Sequence, residues 1–76
     1  MQITYDTKAN AMYLKFKDGE FGRNKEIEER IIVDFAKDGS ILGIEILEAS
    51  AKFKPDDLAR VDIRMPLNLA SLAAVK

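Results

Sequence analysis

Asp38-Gly39, set between two apolar runs, constrains this chain more than any other feature. The runs are Ile31-Ile32-Val33-Asp34-Phe35-Ala36 and Ile41-Leu42-Gly43-Ile44-Glu45-Ile46-Leu47. Asp-Gly flanked by alternating apolar residues is the signature of a β-hairpin, and a two-residue type I′ turn needs φ > 0 at both central positions. Centring the loop on Asp38-Gly39 pairs Ala36 with Ile41, Phe35 with Leu42, Val33 with Ile44 and Ile31 with Ile46. Opposed residues share a face. One face then carries Ile31, Val33, Phe35, Leu42, Ile44 and Ile46; the other carries Arg30, Ile32, Asp34, Ala36, Ile41, Gly43, Glu45 and Leu47. A three-residue loop would slip the pairing by one and set Asp34 against Leu42, which the pattern rejects because one face must be buried.

The flanking segments read as more of the same sheet. Ile3 and Tyr5 alternate with polar residues over 2–5, and Met12, Leu14 and Phe16 do so over 11–17. Pairing Tyr5 with Met12 and Ile3 with Leu14 keeps their apolar residues on one face, and Asp6 and Asn10 suit the intervening turn. Lys17-Asp18-Gly19-Glu20 reads as a second tight hairpin turn leading to a strand at about 24–28, with a bulge near Gly22. Glu29-Arg30 lacks the Gly or Asn of a tight turn, which predicts a looser loop or strain there. After Leu47 the pattern changes. A helical turn over 48–54 is followed by a short helix opening at Pro55, with Asp56 and Asp57 at its positive end. Val61, Ile63 and Met65 alternate as a last short strand ended by Pro66, and Asn68 caps a final helix over 69–75. The expected fold is α+β: an antiparallel β-meander of four to five strands with short C-terminal helical elements packed on one face. It forms a single domain, 1–76, with a core at 1–48 and a more variable segment at 49–76.

Composition narrows the chemistry. Seventy-six residues without cysteine or histidine lack disulfides, thiolate metal sites and the commonest general base. A chain of this size has a small core, and dimerisation is one common way to enlarge it. Twelve basic residues against thirteen acidic ones give a net charge of −1, which argues against a nucleic-acid footprint. No apolar run approaches the ~20 residues of a membrane span. No signal-peptide pattern opens the chain, so a cytoplasmic protein is expected. There is no phosphate-binding loop, dinucleotide fingerprint, nucleophile elbow or zinc-ligand spacing. No catalytic residue, cofactor or metal is expected.

These residues resemble a known family, the YuzE-like small proteins of prokaryotes, catalogued as a domain of unknown function. The resemblance rests on Ile3-Thr4-Tyr5-Asp6 with Ala11-Met12-Tyr13-Leu14, on Ile32-Val33-Asp34-Phe35 with Asp38-Gly39, and on Gly43-Ile44-Glu45-Ile46-Leu47-Glu48-Ala49-Ser50. It covers residues 2 to about 50 and departs at Glu29-Arg30, where the family more often has a Gly-containing turn. It implies a small β-rich domain with no catalogued activity and no catalytic residue to carry over. Some relatives resemble genes encoded beside small ribonuclease-toxin-like proteins, which implies a neutralising role toward such a partner.

Four constellations admit a functional reading beside a structural one. Asp34 and Glu45 become diagonal neighbours on the mixed face, about 7–8 Å apart, with an open spot at Gly43; such carboxylates suit a cation or acid–base chemistry, or simply a solvated face. Ile32, Ile41, Leu47, Leu69 and Leu72 have no home if the sheet has one core face. They suit either intramolecular packing or an interface with a second copy or a small protein partner. Lys15, Lys17, Arg23 and Lys25 near Tyr13 and Phe21 form a possible basic stripe for single-stranded nucleic acid, against which stand Glu20, Glu26, Glu28 and Glu29. Tyr5-Asp6 reads as a turn organiser beside a rim tyrosine. The sequence thus favours a protein-interaction module, with a ligand site at Asp34 and Glu45 as the alternative.

Overall fold

The computed structural model describes residues 1–64. Five strands, β1 (Gln2–Asp6), β2 (Ala11–Lys15), β3 (Phe21–Glu28), β4 (Ile31–Ala36) and β5 (Ile41–Leu47), form one antiparallel sheet. Two short helices follow, α1 (Ala49–Lys52) and α2 (Pro55–Ala59). This is the α+β class the residue pattern gives. The pairings Tyr5 with Met12 and Ile3 with Leu14 stand as expected.

The strand order is β1-β2-β5-β4-β3, so the chain does not turn tightly at Lys17-Asp18-Gly19-Glu20. Instead it passes around the end of the β4–β5 hairpin. The N–H groups of Phe16 and Lys17 both donate to the Leu42 carbonyl, at 2.8 and 3.4 Å, and the Lys37 N–H donates to the Glu20 carbonyl at 2.9 Å. The reason is compositional. Strand β3 has two large apolar residues in eight and is exposed throughout, which suits an edge; β5, with five in seven, suits the centre. Phe35 is covered by the Arg23 guanidinium, 4.4 Å from the ring centroid.

The central hairpin keeps its expected register only in its inner half. Asp34 lies opposite Gly43, Val33 opposite Ile44 and Ile31 opposite Ile46, but Phe35 lies opposite Ile41. The loop has three residues, Lys37-Asp38-Gly39. The Ala36 N–H donates to the Ser40 carbonyl at 2.8 Å, the Gly39 N–H donates to the Ala36 carbonyl at 2.9 Å, and Gly39 alone takes the left-handed conformation, at φ +90°. The longer loop slips the register, and a bulge at Leu42 takes the slip back. The bulge also exchanges two side chains between faces. Leu42 turns to the mixed face, where it lines a hollow with Tyr13 and Asp34, and is buried; Ile41 joins Phe35 on the apolar face and is 45% exposed. Ser40 donates through its hydroxyl and its N–H to Asp38 Oδ1, which holds that carboxyl below the usual carboxylate range.

The expected irregularities at β3 are present. The register shifts between Phe21 and Arg23 and again between Glu26 and Glu28. Arg30 closes the β3–β4 turn at φ +63°, an uncommon conformation for a residue with a side chain, and its N–H donates to Glu26 Oε1 at 3.0 Å. Its guanidinium pairs with Glu29 and Glu48.

At the same end of the sheet, on the β1–β2 side, Asn10 acts as a clip. It sits at φ +52°; its Oδ1 accepts from the Tyr5 hydroxyl at 2.5 Å and from the Ser50 N–H at 3.1 Å, its Nδ2 donates to Ser50 Oγ at 2.7 Å, and its carbonyl accepts from the Ala49 N–H at 2.9 Å. Asp6 Oδ1 accepts from the N–H groups of Lys8 and Ala9, so it organises the β1–β2 turn as expected. Ala49 is fully buried beneath this clip.

Helix α2 opens at Pro55, with the Lys54 N–H donating to Asp57 Oδ2 at 3.1 Å. The expected strand over 61–65 does not form within the described residues: Val61–Arg64 has no regular structure, and Asp62 pairs with Arg60 and Arg64 instead of facing a ladder partner. The expected helix at 69–75, with Leu69 and Leu72, lies outside the described residues. Among the described residues no helix is long and apolar enough to cross a membrane.

Gly22 sits at the first β3 bulge because the chain there touches β4. A Cβ at this position would lie 2.8 Å from the Ala36 carbonyl oxygen and 2.9 Å from Lys37 Cα. Backbone cannot give way as a side-chain tip can. Gly22→Ala is therefore expected to lower unfolding stability by about 1–3 kcal/mol, read as a lower urea midpoint at unchanged slope.

Candidate functional site

The mixed face is built where β2, β5 and β4 run side by side. Tyr13 on β2 lies opposite Glu45 on β5, and Gly43 on β5 lies opposite Asp34 on β4. The Tyr13 ring crosses β5 over Gly43, and its hydroxyl donates to Asp34 Oδ2 at 3.0 Å. A Cβ at Gly43 would lie 2.5 Å from that hydroxyl and 2.5 Å from the Leu14 carbonyl oxygen. The open spot expected above Gly43 is therefore occupied by Tyr13, and the missing side chain is the condition for the Tyr13–Asp34 hydrogen bond.

Asp34 and Glu45 keep the diagonal relation expected of them, because the hairpin register is unchanged across Ile32–Glu45 and Asp34–Gly43. Tyr13 stands between them. Burial, then the hydrogen bond to Asp34, then the negative charges of Asp34 and Glu45 together push its hydroxyl above the ordinary phenol value. At neutral pH Tyr13 is thus a fixed neutral donor, not a base. A hollow of about 310 Å³ opens on one side, lined by Tyr13, Lys15, Phe21, Asp34 and Leu42; another of about 470 Å³ lies on the other, lined by Thr4, Asp6, Ala11, Tyr13 and Glu45. The described residues hold no group of three or more carboxylates or other ligating side chains placed to grip a metal ion.

Tyr13 was the residue that sequence reasoning missed. The signal was there: it shares the face of Lys15 and Lys17. Pairing β2 with β3 in place of β5 kept it away from Asp34.

The remaining candidates separate. Ile32 is half-buried between Glu26 and Glu45, and Leu47 is half-buried opposite Ala11, both beside the Tyr13 site. Ile41 is on the opposite face through the Leu42 bulge. Leu69 and Leu72 lie outside the described residues. The basic stripe does not assemble: Lys15 pairs with Asp18 at 2.5 Å on the mixed face, while Arg23 and Lys25 lie opposite Phe35 and Val33 on the apolar one. Lys37 pairs with Glu20 at 2.9 Å.

The fold and the site define a small α+β sheet domain carrying a tyrosine–carboxylate cluster. The chain belongs to the family described as "Protein of unknown function (DUF2283)", whose sequence model matches residues 2–50. That match takes in the whole sheet and ends at Ser50, the partner of the Asn10 clip. No curated protein and no solved structure matches the chain.

The proton on Tyr13 gives a pH prediction. The folded chain holds it more tightly than the unfolded chain, so the folded state binds more protons in alkali. This contribution is complete below the ordinary phenol value of about 10 and is lost as pH rises through the higher folded value. Denaturation followed at several pH values is expected to show stability falling above pH ~10, and Tyr13→Phe is expected to flatten that fall.

Proposed function

We propose that this chain is a protein-interaction module whose apolar sheet face receives another protein. The supporting observation is the exposure of that face. Ile3, Tyr5 and Ile41 are 42%, 38% and 45% exposed, and a hollow of about 720 Å³ is lined by Ile3, Tyr5, Met12, Leu58, Val61 and Ile63. Contiguous apolar surface of this kind marks a binding surface more often than a solvated one. A cytoplasmic setting belongs to the same proposal. Its finer version, neutralisation of a small toxin-like ribonuclease, rests on the resemblance described above and on nothing in the geometry.

Native mass spectrometry of the tagged chain recovered gently from its source cells tests this. A second protein at fixed stoichiometry is expected. The double substitution V61K/I63K, at positions 60% and 67% exposed, is expected to release that protein without unfolding the chain. A chain recovered with nothing bound, or one that keeps its partner after V61K/I63K, overturns the reading.

A second reading is favoured by the Tyr13–Asp34 hydrogen bond beside its hollow: a small-ligand or cation site at Asp34 and Glu45. Titrating calcium or magnesium into the labelled chain is expected to move the amide resonances of β4 and β5 around these residues. Asp34→Asn with Glu45→Gln is expected to abolish the response while leaving the fold intact. Wild-type resonances that do not move on either titration exclude the cation form.

A further inference from the structure

The sheet has two edges, β1 and β3, and they differ in what a second copy would meet there. A two-fold axis normal to the sheet makes edge strands antiparallel and keeps each face continuous. On β3, an axis through Asn24, Lys25, Glu26 or Ile27 sets Arg23 against Lys25, Lys25 against itself, Glu26 against itself, or Glu26 against Glu28. Every such register opposes like charges, which destabilises a pair, and bulges interrupt the strand twice. This edge repels its own copy.

Strand β1, Gln2-Ile3-Thr4-Tyr5-Asp6, has the opposite character. An axis through Thr4 sets Ile3 against Tyr5, Thr4 against Thr4 and Gln2 against Asp6. No like charges meet, and an aromatic residue faces a β-branched one on the apolar face, a favourable cross-strand pair.

The backbone is also in phase for this register. Hydrogen bonds in an antiparallel ladder alternate sides along each strand. The Phe16 N–H points to β5, since it donates to the Leu42 carbonyl, and the Leu47 N–H points away from β2, since it donates to the Arg30 carbonyl. Met12 and Leu14 therefore bond β5, and Ala11, Tyr13 and Lys15 bond β1 through Asp6, Thr4 and Gln2. That leaves the N–H and C=O groups of Ile3 and Tyr5 on the outer edge. No backbone hydrogen bond from another described residue reaches them. With the axis at Thr4, Ile3 and Tyr5 of one copy are the hydrogen-bonded partners of Tyr5 and Ile3 of the other. Four ladder bonds form, and both side chains are exposed in the single chain.

We propose that two copies of this chain join edge to edge through β1, antiparallel and centred on Thr4, into one ten-stranded sheet. The inference goes beyond the interaction-module reading, because the ladder bonds are made without Val61 or Ile63 and stand whether or not the apolar face has a partner.

The test uses the full chain, which has no cysteine of its own. At the axis, Thr4 faces Thr4 as a non-hydrogen-bonded pair with Cα atoms about 4.5 Å apart, inside the range a disulfide spans. Thr4→Cys in a buffer of oxidised glutathione is expected to give a disulfide-linked dimer, while Asn24→Cys on the β3 edge is expected to give only the mixed disulfide with glutathione. In sedimentation equilibrium, Ile3→Pro removes one outward donor from each copy and is expected to weaken self-association about 25-fold, at roughly fivefold for each hydrogen bond lost. Ile3→Ala, which keeps the donor, separates loss of the bond from loss of the side chain and is expected to weaken association less. Proline is tolerated at an edge position whose N–H faces outward, so far-UV circular dichroism of Ile3→Pro is expected to match the wild type. A wild-type chain that stays monomeric at every concentration overturns the proposal. So does equal cross-linking of the two cysteine variants, or a dimer as tight in Ile3→Pro as in Ile3→Ala.

Discussion

The sheet depends on where β5 lies. It is the last of the five strands among the described residues and the middle strand in space, bonded to β2 on one side and β4 on the other. The apolar residues Ile44 and Ile46 face Leu14 and Met12 across one boundary and Val33 and Ile31 across the other. Remove this strand and the molecule becomes a two-stranded hairpin and a two-stranded ribbon with nothing to share. The site depends on it as well. Gly43 is the gap through which Tyr13 reaches Asp34, and Glu45 is the second charge that Tyr13 meets.

Much of the fold is legible in the residues, and its failures have causes. Alternation identified β1, β2, β4 and β5 and the pairings of Ile3 and Tyr5 because each strand has one apolar face to bury. The central register was legible for the same reason. The loop was not, because Asp-Gly fits a type I′ turn and equally a three-residue loop ending in a left-handed glycine. A bulge lets the second option keep the favourable inner pairs. Face assignment beyond a bulge is not fixed by alternation, which is why Ile41 and Leu42 changed sides. Strand order was the larger miss. Asp18-Gly19 carries the same local turn chemistry as Asp38-Gly39, and local chemistry is silent on whether a neighbouring strand with more apolar surface will take the adjacent place.

The candidate site was half legible. Asp34 and Glu45 follow from the hairpin register, and Gly43 flags a close approach. What fills that approach is a long-range fact: it comes from β2, thirty residues earlier in the chain, and no spacing rule links Tyr13 to Asp34. The cluster is therefore a product of topology. Within it the Tyr13 hydroxyl donates to Asp34, and Glu45 adds a second negative charge.

The β2–β3 connection carries a consequence for how the protein is made. A translating ribosome releases the N-terminal hairpin first, yet the strand that flanks β2 in the finished sheet is the last of the five to emerge. Until residues 41–47 are free, β2 presents an open ladder of donors and acceptors with nothing of its own chain to close it. The sheet is completed from its two sides inward, by a strand inserted late. Assembly of this domain thus waits for its fifth strand, and a nascent chain stalled before Ile41 exposes an adhesive hairpin with no partner.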